Sequence, residues 1–204
     1  MTGDALIVID VQNDFCPGGA LAVPEGDAVV PVINRLQQRF GTVVLTQDWH
    51  PADHRSFASN HGAEPFGTVE MPYGTQVLWP DHCVQGTEGA ALHPGLATDR
   101  AALLVRKGFR AEIDSYSAFF ENDRTTVTGL AGYLLERGIG AVTLAGLATD
   151  FCVGSSALDA VRLGFDVRVV EDACRAIDLQ GSLERMMAEM RGAGVAIVRS
   201  GEIG

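Results

Sequence analysis

Six short apolar runs, most of them rich in β-branched residues, recur along the chain. Each is nearly continuous in apolarity, which is typical of parallel strands that are covered on both faces. The predicted strands are residues 5–9, 42–46, 102–106, 141–145, 166–170 and 195–198.

Segments with helical spacing of apolar residues separate several of these runs. Residues 27–39 place Val30, Ile33 and Leu36 on one face. The other predicted helices, 126–137, 150–163 and 179–191, are each followed by a glycine, as expected where a helix ends in a left-handed turn. Alternating strands and helices predict one doubly wound, parallel α/β domain over residues 1–204.

Residues 51–99 depart from this alternation. They are rich in Gly, Pro, His and Asp, show little periodicity, and hold four of the five histidines, with His50 adjoining them. Long irregular stretches in compact domains are usually either functional or disordered, and we predict that 51–99 forms site-forming loops.

Composition and charge exclude several classes of protein. The 204 residues carry a net charge of −11, which argues against nucleic acid and anionic membranes as partners. No run approaches the roughly 18 apolar residues of a membrane span, and no signal peptide is recognisable, so we expect a cytoplasmic protein. The four cysteines form no C-x-x-C pair, and we expect them to be thiols.

Lys107 is the only lysine, against 14 arginines. A lysine ammonium is compact and shifts its pKa on burial, which a guanidinium does not do. Lys107 follows the third predicted strand, and ligands of such sheets bind beyond the carboxyl ends of the strands. This position fits a catalytic ammonium, and a salt-bridging lysine is the alternative.

Two further strand ends carry reactive side chains. Asp10 ends the first apolar run, where partial desolvation would raise its pKa and suit it to be a general base. Cys152 lies in the first turn of the helix after the fourth strand, where free N–H groups would lower the thiol pKa and could hold an oxyanion. Together with Lys107 they supply base, nucleophile and cation. Asp14 suits a loop-capping role instead, and the other three cysteines, Cys16, Cys83 and Cys174, are interpreted as structural.

Asp48 and His50 are two residues apart, so in extended chain both side chains point the same way. Two histidines and one carboxylate leave coordination positions open, as in catalytic metal sites. His82 is the favoured third ligand. The remaining histidines, His54, His61 and His93, rank lower, and spacing alone does not fix the choice.

Four segments carry a resemblance to a known family: IDVQNDFCPGGALAVPEG, TQDWHPADHRSFASNH, WPDHCVQGTEGA and GLATDFCV. They resemble, in order and over nearly the whole chain, the motifs of bacterial nicotinamidases (pyrazinamidases) within the isochorismatase-like cysteine hydrolases. The resemblance implies a parallel six-stranded sheet with helices on both faces. It also implies hydrolysis of nicotinamide, and of pyrazinamide, through a cysteine thioester in NAD salvage, and a homo-oligomer is compatible with it.

The resemblance assigns roles residue by residue. It implies a catalytic Asp10, Lys107 and Cys152, and one divalent metal ion on Asp48, His50 and His82, with zinc favoured over iron or manganese. It implies ring packing by Phe15 and Trp79, oxyanion donors at the backbone N–H of Ala148 and Cys152, and a cis peptide bond at Leu147–Ala148. Where some relatives place a further metal-binding histidine, this chain has Ser56, which leaves the fourth ligand open.

Three alternatives remain at this stage. One is a related cysteine amidase for another amide, which the Asp48, His50 and His82 set argues against. The second is a metal-hydroxide hydrolase with Cys152 as a bystander. The third is a thiol redox sensor or a nucleotide-binding domain, which the missing C-x-x-C and the missing glycines after the first strand disfavour.

Overall fold

Six parallel strands form the central sheet of the computed structural model, which describes residues 3–204. Met1 and Thr2, which belong to the predicted domain, lie outside the described residues. The described residues form eight strands, which in chain order are β1 (Gly3–Ile9), β2 (Val43–Asp48), β3 (Thr68–Met71), β4 (Gly74–Val77), β5 (Ala101–Lys107), β6 (Ile139–Leu147), β7 (Asp166–Arg175) and β8 (Ala196–Val198). Of these, β3 and β4 lie outside the central sheet. The sheet order is β5-β2-β1-β6-β7-β8, and all neighbours run parallel, as predicted.

Helices cover both faces of this sheet. They are α1 (Val30–Leu36), α2 (Leu130–Glu136), α3 (Gly154–Arg162) and α4 (Ser182–Gly192). Leu6 and Val8 of β1 share one apolar core with α1, whereas Ile7 and Ile9 share the other with α2, α3 and α4. The alternation follows from the period of two along a strand. Among residues 3–204, no helix is both long and apolar enough to cross a membrane.

Five of the six predicted strands are longer in the structure than their apolar runs, and two of them end in charged residues of the site. β2 continues to Asp48 and β5 to Lys107, and these two residues are paired in register. The apolar pattern stops earlier in these two strands because Asp48 and Lys107 face the site rather than the core. Both charged side chains are therefore positioned by regular backbone instead of by a flexible loop.

The predicted helix boundaries need correction. The segment 126–137 becomes helical only at Leu130, because Thr126 and Thr128 are bonded into the preceding turn. The glycine assignments after the second and third helices are confirmed, with left-handed φ values of 68° and 87° at residues 138 and 164. The glycine assignment after the fourth predicted helix is wrong. Gly192 is helical, and the left-handed turn comes at Gly194, with φ 91°.

The stretch 51–99 is mostly loop, but it contains a hairpin that the sequence did not predict. β3 and β4 pair as an antiparallel hairpin, with Met71 opposite Gly74. Gly74 has φ 122°, a backbone conformation that residues other than glycine avoid. The hairpin places Gln76 against the site, and the loop beyond it carries Trp79 and His82.

The strand order brings the reactive residues together. The chain winds from β1 towards β5 on one side and from β6 towards β8 on the other, so the switch point lies between β1 and β6. Ligands bind at such points beyond the carboxyl ends of the strands. Ile9 pairs with Gly146 there, and a Cβ on Gly146 would meet the Ile9 carbonyl oxygen at 2.1 Å. The close approach of β6 to β1 therefore requires glycine.

Candidate active site

The Lys107 ammonium lies at the centre of the site and is almost completely buried. Its Nζ lies 2.8 Å from Asp10 Oδ2, 2.6 Å from Asp48 Oδ1 and 3.5 Å from the Cys152 sulfur. It also donates to the Ser115 carbonyl at 2.8 Å. Burial would lower the pKa of Lys107, but the two carboxylates raise it well above its usual range. The ammonium therefore stays charged, and one cation holds both carboxylates beside the sulfur.

Asp10 is held from its other side by β2. The Thr46 hydroxyl donates to Asp10 Oδ1 at 2.6 Å, and the Asp10 backbone N–H donates to Thr46 Oγ1 at 3.1 Å. Burial raises the pKa of Asp10, although Lys107 opposes the rise. This confirms the raised pKa expected from the sequence. A carboxylate with a raised pKa, next to a thiol, is suited to proton transfer.

Cys152 lies in a π-helical turn, Thr149–Val153, that leads directly into α3. The expectation that this position would lower its pKa is wrong for the free site. Burial raises the pKa of the Cys152 thiol well above its usual range, and although Lys107 lowers it, Asp10 and Asp48 raise it further. Because the resting group is a thiol, attack by its sulfur requires a base such as Asp10.

The Asp48 carboxylate joins two parts of the site. Its Oδ1 contacts Lys107, while its Oδ2 lies 3.4 Å from His50 Nε2 and 3.8 Å from His82 Nε2. Burial alone would raise the pKa of Asp48, but the charge of Lys107 and then that of His50 hold it well below its usual range. Asp48 is therefore an anion that faces the ammonium on one side and the histidines on the other.

The two histidines are oriented by backbone carbonyls. His50 Nδ1 lies 2.8 Å from the Gly108 carbonyl oxygen, and His82 Nδ1 lies 2.8 Å from that of Pro80. A carbonyl only accepts, so both Nδ1 atoms carry a hydrogen, and both Nε2 atoms face Asp48 Oδ2, where a neutral ring presents its lone pair. Hydrogen bonds of this kind orient the histidines of metal sites. The donor atoms of these three buried residues lie within 4.8 Å of one another, so they fit a divalent metal ion.

The other histidines do not join this set. The His54 ring packs at a tilt of 46° against that of His50, with centroids 4.2 Å apart, but its Nδ1 accepts from the Ser56 backbone N–H and lies 2.7 Å from Ser56 Oγ. Ser56 is thus engaged with His54. His61 contacts the Arg55 carbonyl, and His93 accepts from the Gly95 N–H.

A small pocket adjoins Cys152 and is walled by aromatic rings. Phe15 and Trp79, the two aromatics expected from the sequence, both line it, together with Asp48 and His82. Tyr116 and Phe151 complete the wall. Trp79 Nε1 donates to the Tyr116 hydroxyl at 3.2 Å, and its ring meets that of Phe151 edge-on at 4.9 Å. The pocket suits a flat ring with one polar end at the sulfur and another at the histidines.

The turn after β6 has the expected cis peptide bond at Leu147–Ala148. The Ala148 carbonyl accepts from the N–H groups of Phe151 and Val153, which closes the turn around Cys152. Ala148 and Cys152 both line the pocket. The assignment of their N–H groups as oxyanion donors stays a prediction.

The structural roles expected for other residues agree with their contacts. Asp14 accepts from the backbone N–H groups of Ala20 and Cys83, which confirms its loop-capping role. The four cysteines are all free and buried. Of these, only Cys152 contacts Lys107.

Sequence reasoning missed several residues that build the site. Ser115 offers only its carbonyl, and Thr46 is a strand residue with no distinguishing signal. Gln12 donates to the Asp48 carbonyl and accepts from its N–H, both at 2.8 Å. Asp114, a buried acid in the pocket wall, was also missed. Gln12 lies among other polar residues, between Asp10 and Asn13, so nothing in the sequence distinguished it or identified its partner.

Comparisons with known proteins agree over nearly the whole chain. The isochorismatase domain model matches residues 4–202. Nicotinamidase of Acinetobacter baylyi is 58% identical over 200 residues, which cover 98% of this chain and 94% of the relative. Two solved structures have the same fold. The first is the Acinetobacter baumanii nicotinamidase/pyrazinamidase, which is 56% identical in sequence. The match covers 100% of this chain and 99% of that protein's chain, with a TM-score of 0.98. The second is Pyrococcus horikoshii pyrazinamidase in complex with zinc, which is 36% identical in sequence. The match covers 96% of this chain and 98% of that protein's chain, with a TM-score of 0.78.

Proposed function

The chain belongs to the isochorismatase domain family, and from this we propose that it is an amidohydrolase that converts nicotinamide to nicotinate and ammonia in NAD salvage. One observation carries the mechanism: a buried ammonium, that of Lys107, contacts Asp10, Asp48 and the Cys152 sulfur beside an aromatic pocket that Asp48 and Cys152 line. The names of the similar proteins support the same substrate class.

In the first half of the proposed reaction, Asp10 takes the proton of the Cys152 thiol. The sulfur then attacks the carboxamide carbon, and the carbonyl oxygen becomes an oxyanion held by the N–H groups of Ala148 and Cys152. As the C–N bond breaks, Asp10 returns the proton to the leaving nitrogen, which departs as ammonia. A thioester to Cys152 remains.

In the second half, water attacks the thioester carbon while Asp10 again takes a proton. The C–S bond breaks, the sulfur recovers a proton from Asp10, and the acid loses its remaining proton to solvent and leaves as nicotinate. Lys107 stabilises the thiolate and keeps Asp10 in place through both halves. The raised pKa of Asp10 serves this alternation, since the group must be both an acceptor and a donor near neutral pH.

We further propose that Asp48, His50 and His82 hold one divalent metal ion, with zinc favoured over iron or manganese. Support comes from the orientation of the two Nε2 atoms and from the zinc complex of the Pyrococcus horikoshii relative. When bound, the ion supplies a Lewis-acid contact for the pyridine nitrogen. Phe15 and Trp79 then pack against the ring and fix the carboxamide at Cys152. Pyrazinamide has a ring nitrogen in the same relation to its carboxamide and is expected to be a second substrate.

The test is ammonia and nicotinate release by the purified protein, with metal content measured on the same sample. Benzamide is the matched control because it has the same ring size and amide but lacks the ring nitrogen. We expect equimolar products from nicotinamide and a much lower kcat/KM for benzamide. No release from nicotinamide by metal-loaded protein would refute the proposed function, and equal use of benzamide would refute the role of the ring nitrogen.

A further inference from the structure

Asp114 is a second carboxylate at the metal end of the pocket, and nothing in the proposed reaction uses it. It is 3% exposed and lines the same pocket as Asp48, His82 and Cys152. We propose that Asp114 is a positioning residue of the metal centre, which strengthens binding of the divalent ion from outside the Asp48, His50 and His82 set. The inference rests on the metal site of the proposed function.

The charges in the site favour a cation near Asp114. Across residues 3–204, no Lys, Arg or His nitrogen lies within 4.0 Å of an Asp114 carboxylate oxygen. Buried carboxylates are normally paired with a cation or used to bind a metal. The buried site holds three carboxylates, those of Asp10, Asp48 and Asp114, and one ammonium, that of Lys107. With the histidines neutral, as metal ligands must be, the formal charges leave two negative charges in excess, which a divalent cation neutralises.

Asp114 lies beside the proposed metal ligands. An Asp114 oxygen lies within 4.8 Å of a ring nitrogen of both His50 and His54, but Asp114 does not belong to the equally close group of Asp48, His50 and His82. It is therefore next to the ligand set without being part of it. A carboxylate at that place stabilises a cation electrostatically and can orient what binds to it.

The group formed by His50, His54 and Asp114 is not a separate metal site. His50 already directs Nδ1 to a carbonyl and Nε2 to Asp48. His54 accepts from the Ser56 N–H at Nδ1, so its hydrogen is on Nε2, which lies 3.4 Å from the Ile113 carbonyl oxygen. Neither ring has a nitrogen free for a second ion. The charge of Asp114 is thus directed to the one site that the histidines can form.

Asp114 is also held rigidly, which a positioning residue requires. The Ser115 backbone N–H donates to Oδ1 at 2.8 Å, and Gln76 Nε2 donates to Oδ2 at 2.7 Å. Each carboxylate oxygen accepts more than one hydrogen bond, so both retain capacity towards the pocket. Gln76 reaches Asp114 from the β3–β4 hairpin and also lies 3.0 Å from the Tyr116 hydroxyl. The hairpin therefore fixes the second carboxylate and the aromatic wall together.

The test compares zinc affinity by competition with a chromophoric chelator, using metal-free protein. For Asp114→Asn we expect the zinc Kd to rise by about 10–100-fold, the usual cost of losing a partner just outside a metal's ligand set. Asp159→Asn is the matched control, since Asp159 is equally buried but is paired with Arg124 and Arg162. Its zinc Kd should equal that of the wild type. Ser56→Ala should also leave the Kd unchanged.

The outcomes separate this proposal from the proposed function. If the wild type binds no stoichiometric zinc, iron or manganese, the metal site itself is refuted. If the wild type binds metal and Asp114→Asn binds it equally well, only the role of Asp114 is refuted. A lower melting temperature with an unchanged Kd would assign Asp114 to loop packing. Should Asp114→Asn not fold, Asp114→Ser serves the same measurement, and failure of both neutral variants to fold would equally overturn the proposal.

Discussion

Replacing Lys107 by arginine keeps the positive charge and removes only the shape of the ammonium. In the structure, three oxygens and the Cys152 sulfur surround Nζ at 2.6 to 3.5 Å. A planar, forked guanidinium is larger than the space left for Nζ and cannot meet Asp10, Asp48 and the sulfur at those distances. We therefore expect Lys107→Arg to be nearly as inactive as Lys107→Ala.

The expected loss of activity is large because Lys107 is buried. Losing a positioned electrostatic contact to the reacting group costs about 10²–10³ in rate, or about 2.7–4 kcal/mol in the barrier. Forcing a larger side chain into a packed site adds about 1–3 kcal/mol of destabilisation. An exposed ion pair, by contrast, is worth about 0–1 kcal/mol and would accept arginine.

The assay measures kcat/KM for nicotinamide and the melting temperature of each variant. Arg106→Lys is the matched control, one residue away on the same strand but exposed, with its guanidinium 3.9 Å from the Trp49 ring centroid. It should retain nearly full activity. Folded Lys107→Arg with activity within about threefold of wild type, a barrier change of about 0.6 kcal/mol, would refute the reasoning.

Four further predictions follow from the same contacts. Cys152→Ala should abolish hydrolysis while Cys174→Ala keeps most of it, and ammonia release at the wild-type rate by Cys152→Ala would instead favour a metal-bound hydroxide as nucleophile. His82→Ala should lower bound metal and raise the KM for nicotinamide, measured by metal analysis and steady-state kinetics; unchanged values would exclude His82 as a ligand. Gln12→Leu leaves the backbone N–H and C=O of Asp48 without partners, at about 1–3 kcal/mol for each group, so the melting temperature and metal affinity should fall together. Desolvation raises the pKa of Asp123, but hydrogen bonds from Thr126 outweigh it and lower this pKa to about 2. The ionised Asp123 therefore stabilises the fold above the unfolded-state pKa of about 3.9, and this stabilisation is lost as the pH falls towards 2. The stability difference between wild type and Asp123→Asn should shrink over that range in thermal melts, and a difference independent of pH would contradict the assignment.

The sequence alone determined the class of fold and the reactive residues, because both depend on local pattern. Apolar runs that are covered on both faces are recognisable without a structure, and a charged residue directly after such a run marks the edge where parallel strands end. Asp10 and Lys107 were found in this way. The cis bond at Leu147–Ala148 and the pairing of Asp48 with His82 came from the resemblance to a family rather than from spacing.

Strand order decided what the local pattern could not. β5 and β6 lie on opposite sides of β2 and β1, so the single ammonium of Lys107 spans the site and contacts Asp48 as well as Asp10. That contact links the proposed nucleophile to the proposed metal ligands. No spacing along the chain predicts it, since Asp48 and Lys107 are brought into register only by sheet pairing.

Burial decided the rest. A helix start alone predicts a lowered pKa for Cys152, but desolvation in the closed pocket, together with two nearby carboxylates, raises it instead. Asp114 looked like any surface acid in a loop, and only the packing of the β3–β4 hairpin made it a buried charge beside the histidines. Residue type and position relative to the strands are written locally in the sequence, whereas solvation and charge pairing are properties of the whole fold.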